Sequence, residues 1–161
     1  MAIPFSADEV FEMAEQIERN GATFYRAAAE KFPDVAPVLL DLARMEDEHL
    51  KTFAAMHADL SGGELDTPVY DPDGEVQMYL RVMADGNIFD LKTDPAQQLA
   101  GITTPEGVLK KAMQAERDSI AFYVGLKESV PQKAGKGKVQ AIIREEVGHM
   151  AILNEKLQTL K

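Results

Sequence analysis

Apolar residues recur at helical spacing over four long stretches of this chain. The first, about residues 6–31, opens with Ser6-Ala7-Asp8-Glu9, where Ser6 can cap a helix and Glu9 can reach back to it; Pro33 stops it. Asp34 is placed to cap a second helix, about 34–60, which Ser61-Gly62-Gly63 would end. Thr104-Pro105-Glu106 signals a third helix, about 105–130, with proline at its first position and a stop at Val130-Pro131. The fourth follows Gly135-Lys136-Gly137 and covers about 138–160. Residues 61–103 contain Pro68, Pro72, Gly74, Gly86 and Pro95 and so cannot form one long helix, although 75–83 can form a short one. So long a connection makes sense if the chain returns along the length of a bundle, since a helix of ~25 residues is ~38 Å long. The pattern predicts one all-α domain over 1–161, a four-helix bundle built from two helical hairpins joined by a crossover over 61–103.

The hairpins read as copies. ERNGATFY at 18–25 matches ERDSIAFY at 116–123, and RMEDEHL at 44–50 matches REEVGHM at 144–150. On a seven-residue grid the inner stripe of the second helix is Leu39, Leu42, Glu46, His49, Phe53, Met56 and Leu60. That of the fourth is Val139, Ile142, Glu146, His149, Leu153 and Leu160. The first helix lines up Phe11, Glu18, Tyr25 and Phe32; the third lines up Leu109, Glu116, Tyr123 and Val130. Each helix thus places one glutamate at mid-height on its core stripe, and two of them add a histidine one turn later.

Buried ionised carboxylates cost several kcal/mol each unless they are compensated. Protonation is one answer and pairing with buried arginine another, but Arg19, Arg44, Arg117 and Arg144 fall off the stripes and are expected to face water. Two divalent cations balance four carboxylates, and two neutral imidazoles complete the coordination without changing the sum. Glu and His at i and i+3 share a helix face and can reach one metal. One Glu from each of two helices with Glu-x-x-His from each of the other two is the donor pattern of dinuclear carboxylate bundles. A site with two nearly equivalent metal positions accounts for the repeat. Glu18, Glu46, His49, Glu116, Glu146 and His149 are the candidate ligands.

Glu15, Glu48 and Glu145 read as solvent-facing, though Glu145 adjoins a candidate ligand. Tyr25 and Tyr123, two turns from the glutamates, read either as core aromatics with partnered hydroxyls or as groups that bond to the ligands. His57 reads as structural or exposed, and the eight methionines as core fillers.

Composition narrows the chemistry. There is no cysteine, which excludes thiolate catalysis, cysteine-ligated zinc and iron–sulfur clusters. A net charge of −10 disfavours nucleic acid and anionic membrane surfaces as partners. No stretch approaches the ~18 apolar residues of a membrane span, and the first ten residues lack a signal-peptide pattern, so a cytoplasmic location is expected.

At ERNGATFY, RMEDEHL, ERDSIAFY and REEVGHM the sequence resembles the rubrerythrin branch of the ferritin-like superfamily, over all four long helices. The resemblance implies a non-haem di-iron carboxylate site in which Glu18 and Glu116 are terminal ligands, Glu46 and Glu146 bridge, and His49 and His149 cap one metal each. It implies reduction of hydrogen peroxide, or, as in relatives, oxidation of Fe(II) by dioxygen or peroxide for iron handling. Iron comes from the resemblance alone, since manganese or zinc also suits these donors. Two departures stand out. The chain has no cysteine for the four-cysteine rubredoxin domain of a full rubrerythrin, so an external electron-donor protein is expected. Ser119 occupies a position where rubrerythrins usually carry an extra Glu, leaving a four-Glu, two-His set closer to that of a bacterioferritin. A homodimer is the expected assembly.

Overall fold

The computed structural model of the protein describes residues 5–60, 71–86, 94–130 and 132–161. Helix α1 spans Ala7–Lys31. The Ser6–Glu9 capping box forms, with Ser6 N donating to Glu9 Oε2 at 2.8 Å and Glu9 N donating to Ser6 Oγ at 3.2 Å. A 3-10 turn over Pro33–Val35 reverses the chain into α2, Ala36–Ala58. Helix α3 is Glu75–Gly86, longer than the 75–83 expected, and a 3-10 turn over Pro95–Leu99 follows. Helix α4, Pro105–Ser129, is capped by Thr104 Oγ1, which accepts from Gly107 N at 3.0 Å. Helix α5 spans Lys136–Thr159.

Three local expectations fail for physical reasons. Asp34 does not cap α2; it sits inside the 3-10 turn, and Val35 takes the cap position without a side-chain bond. Pro37, the second residue of α2, has no N–H for a cap to satisfy. The fourth long helix starts within the Gly135-Lys136-Gly137 stretch rather than after it. Gly135 supplies a left-handed residue (φ +104°) at the cap, where a Cβ would also meet Met56 Cε at 2.8 Å. Leu160 is 40% exposed because it caps the end of α5, and Leu157 is buried instead. Ser61-Gly62-Gly63, Pro68 and Pro131 lie outside the described residues.

Helices α1 and α2 pack along their lengths as one hairpin, and α4 and α5 as another; α1 also meets α4, and α2 meets α5. The crossover helix α3 lies against α4, while the Pro95–Leu99 turn lies against α1. Lys31 Nζ donates to Leu99 O at 3.0 Å and ties that turn down. The core fills with the expected stripes, including Phe11, Leu39, Leu42, Phe53, Leu109, Val139 and Leu153. Among the described residues, no helix is long and apolar enough to cross a membrane.

Candidate metal centre

The inner faces of four helices converge at mid-height. Glu18 comes from α1, Glu46 and His49 from α2, Glu116 from α4, and Glu146 and His149 from α5. All six are at most 5% exposed in a core otherwise largely apolar. Arg19, Arg44, Arg117 and Arg144 are exposed, so none of them neutralises the cluster.

The six side chains form two overlapping sets. Glu18, Glu46, His49 and Glu146 offer one donor atom each, all within 4.8 Å of one another, and so do Glu46, Glu116, Glu146 and His149. Glu46 and Glu146 belong to both sets. His49 Nδ1 lies 2.8 Å from Glu146 Oε1 and 3.5 Å from Glu18 Oε2. His149 Nδ1 lies 3.3 Å from Glu46 Oε1, 3.3 Å from Glu146 Oε2 and 3.5 Å from Glu116 Oε1. The imidazoles stack with centroids 5.3 Å apart and planes 16° from parallel.

These approaches are close without being hydrogen bonds. Among the described residues, the buried side-chain atoms that lack a hydrogen-bond partner are Glu18 Oε2, both oxygens of Glu146, His49 Nδ1 and both ring nitrogens of His149. All belong to this one cluster. Buried polar atoms are nearly always partnered in folded proteins. Lone pairs that converge on shared points rather than on donors are what a pair of bound cations requires, so the residues fit such a group.

The two unshared glutamates are each held by a tyrosine from the opposite hairpin. Tyr25 of α1 donates its hydroxyl to Glu116 of α4, and Tyr123 of α4 donates to Glu18 of α1. Both tyrosines are at most 1% exposed. Burial, then the carboxylates nearby, pushes both phenols well above their ordinary pKa, so they remain proton donors. The structure thus pairs both buried hydroxyls with candidate ligands, crosswise, in a way that no single helix reveals.

The electrostatics describe a cluster short of positive charge. Burial, reinforced by Glu46 and Glu146, raises Glu18 well above the ordinary carboxylate value. Burial and Glu146 raise Glu116 to about 8. Burial and Glu46 push Glu146 upward too, but Glu116 and both imidazoles close on it and leave it below its ordinary value. Burial pulls His49 down, yet Glu146 and Glu18 outweigh it and raise its pKa to about 11. Burial pulls His149 down as well, and Glu116, Glu146 and Glu46 again outweigh it and raise it. In the absence of cations, protons take their place; cations and protons compete for the same oxygens and nitrogens.

Two features escaped the sequence reading. Glu145, exposed as expected, reaches across from α5 to His49 Nε2 at 2.8 Å. Glu15 is not solvent-facing; its side chain is only 13% exposed and lies 2.7 Å from His57 Nδ1, whose Nε2 meets Asp8 Oδ1 at 2.7 Å. Glu48 is exposed, as expected.

The family model described as Rubrerythrin matches residues 9–86, which cover most of α1 and all of α2 and α3. A solved structure from Thermotoga maritima, described as a ferritin-like diiron-carboxylate protein, superimposes over 100% of both chains with a TM-score of 0.72 at 22% identity. The chain has the ferritin-like fold, and its first hairpin and crossover helix are similar to the rubrerythrin family. No curated protein sequence matches it. The rubrerythrin-like match ends before α4, yet α4 and α5 supply Glu116, Glu146 and His149 at positions equivalent to those of the first hairpin. No four-cysteine rubredoxin unit lies within these 161 residues, because they contain no cysteine.

Proposed function

We propose that this rubrerythrin-like protein holds two iron ions and reduces hydrogen peroxide through them. The observation that carries the reading is the overlap of two buried four-residue donor sets sharing Glu46 and Glu146. Glu18 and His49 would serve one ion, Glu116 and His149 the other, with Glu46 and Glu146 common to both. Two Fe(II) ions supply the two electrons that, with two protons, convert one hydrogen peroxide to two waters. The protein's own groups set the conditions: the apolar core excludes bulk water, the carboxylates balance the metal charge, and Tyr25 and Tyr123 orient Glu116 and Glu18 by donating to them. The electrons that restore Fe(II) come from a separate donor protein in this reading.

A second reading, oxidation of Fe(II) for iron handling, has one observation in its favour. Ser119, buried on α4 one turn beyond Glu116, leaves a four-Glu, two-His set without a further carboxylate. Rapid mixing separates the two. Metal-free protein is loaded anaerobically with two Fe(II) per chain and mixed with hydrogen peroxide or dioxygen, following the near-ultraviolet absorption of the oxidised iron pair. Fast oxidation by peroxide with slow reaction towards dioxygen supports the peroxidase. Fast reaction with dioxygen that continues beyond two irons per chain overturns it in favour of the ferroxidase. A native mass corresponding to a dimer favours the peroxidase, and a large closed shell favours storage.

A further inference from the structure

The repeat that writes the ligands twice does not write their neighbours twice. Arg44-Met45-Glu46 stands against Arg144-Glu145-Glu146, so the residue just before the shared glutamate is a thioether in α2 and a carboxylate in α5. A residue one position before a core-facing ligand is rotated ~100° around the helix, onto the flank facing a neighbour. From that flank Glu145 Oε2 reaches His49 Nε2, 2.8 Å away, across the α2–α5 contact. The pseudo-two-fold relation assigns Met45 the corresponding task for His149, and a thioether is only a weak acceptor. His149 Nε2 is buried without a hydrogen-bond partner.

Both imidazoles turn Nδ1 towards the carboxylates. A neutral histidine can offer a lone pair at Nδ1 only if its proton sits on Nε2. Glu145 accepts that proton's hydrogen bond, which fixes the tautomer and ring orientation of His49 and strengthens it as a donor. Nothing equivalent fixes His149 among the described residues. Glu145 is itself 61% exposed, so solvent screens its charge and its influence runs mainly through tautomer and orientation.

We propose that Glu145 is a positioning residue that makes the two metal positions unequal, so that the Glu18–Glu46–His49–Glu146 set fills first and holds its ion more tightly than the set containing His149. This rests on the dinuclear reading above. The His149 position is then the one that exchanges its ion.

Zinc, which is diamagnetic, provides the test. Metal-free protein is titrated with Zn2+ against a competing chelator, and the zinc-loaded protein is studied by NMR with labelled histidine. Outer partners of metal-bound histidine typically change metal affinity by about 10–100-fold. Wild type is expected to bind two ions in steps separated by about tenfold or more, with one protected, downfield Nε2 proton belonging to His49. Glu145→Met, which makes the two repeats alike, should weaken the first step about 10–100-fold, merge it with the second, keep two ions per chain and lose that proton signal. Glu145→Gln, which can still accept the bond, should keep the signal and most of the separation. Met45→Glu should strengthen the second step and give His149 a protected proton of its own. Equal steps in wild type, or unequal steps that neither Glu145→Met nor Met45→Glu changes, overturn the proposal while leaving two ions per chain intact. Fewer than two ions in wild type overturns the dinuclear reading and the proposal with it.

Discussion

The two hairpins share a blueprint and differ in how they close it. At mid-height they are equivalent: Glu18 matches Glu116, Glu46 matches Glu146, and His49 matches His149. Towards one end they diverge. In the α1–α2 hairpin, His57 bridges Asp8 and Glu15 and stacks on Phe11 with centroids 5.7 Å apart. The repeat aligns Glu15 with Met113 and His57 with Leu157, so the α4–α5 hairpin closes the same place with apolar side chains; Glu106, aligned with Asp8, pairs instead with Lys110 on the surface. Either solution satisfies the local physics, since a partnered polar cluster and an apolar contact are both stable ways to close two helices. The candidate metal centre has no such freedom. Its charge balance depends on four carboxylates and two imidazoles together, so the two halves agree there residue for residue.

The largest break in this equivalence comes from the shared ligands. Glu146 belongs to both donor sets and Glu18 to one. Glu146→Ala should take bound metal from two ions per chain towards none, and Glu18→Ala should leave one, as measured by elemental analysis after desalting. Similar metal contents in the two variants would mean that Glu146 is not shared.

Next come the crosswise tyrosines. Tyr25→Phe and Tyr123→Phe each remove a buried donor from a carboxylate, which costs about 1–3 kcal/mol. Urea unfolding of the metal-free protein should give losses of similar size for the two; a clear inequality would show that the hairpins differ even at this level.

The closure itself offers a third comparison. His57→Leu alone leaves Asp8 and Glu15 without their imidazole, a loss of about 1–3 kcal/mol. Adding Glu15→Met, which copies the second hairpin, should recover most of it. The single loss should also depend on pH. Burial lowers the pKa of His57, but Asp8 and Glu15 outweigh burial and raise it above its ordinary value. A raised folded-state pKa stabilises fully below the unfolded value of about 6.5. That stabilisation fades as pH rises through the folded value. The gap between wild type and His57→Leu should therefore shrink from pH 6 into the alkaline range; a gap that widens contradicts the charged pairing.

The smallest effect is expected at Gly21, the counterpart of Ser119. A Cβ at 21 lies 3.2 Å from Glu46 Oε2, so the glutamate must yield by a few tenths of an ångström. Gly21→Ser gains about 0.5 kcal/mol of helix propensity against that. Thermal unfolding should change little, and a large drop would show that Glu46 is rigidly placed.

What the sequence made legible follows a physical divide. Charged residues on a core-facing helical stripe are conspicuous because their burial needs a compensating partner, so all six candidate ligands stood out and the structure brings all six together. The capping box at Ser6 and the Thr104 cap were equally visible, since each uses residues close together in the chain. Asp34 shows the limit of such signals: a cap residue does nothing where Pro37 has removed a donor and a 3-10 turn has claimed the position. Glu145 and Glu15 were harder to read because their partners lie on another helix, and a flank position looks solvent-facing until the neighbouring helix is placed.

The crossover adds a point about the order of folding. Tyr79 of α3 lies over Gly125 of α4, where a Cβ would come within 2.7 Å of the ring, and its hydroxyl donates to Ala121 O at 2.5 Å. The seat for that ring exists only once α4 is helical, whereas α1 and α2 meet across a short turn. Contacts near in sequence form faster than those that must first close a long loop. Each hairpin can therefore zip up on its own, and the strap settles only after the helix it rests on, keyed into place by a single missing side chain.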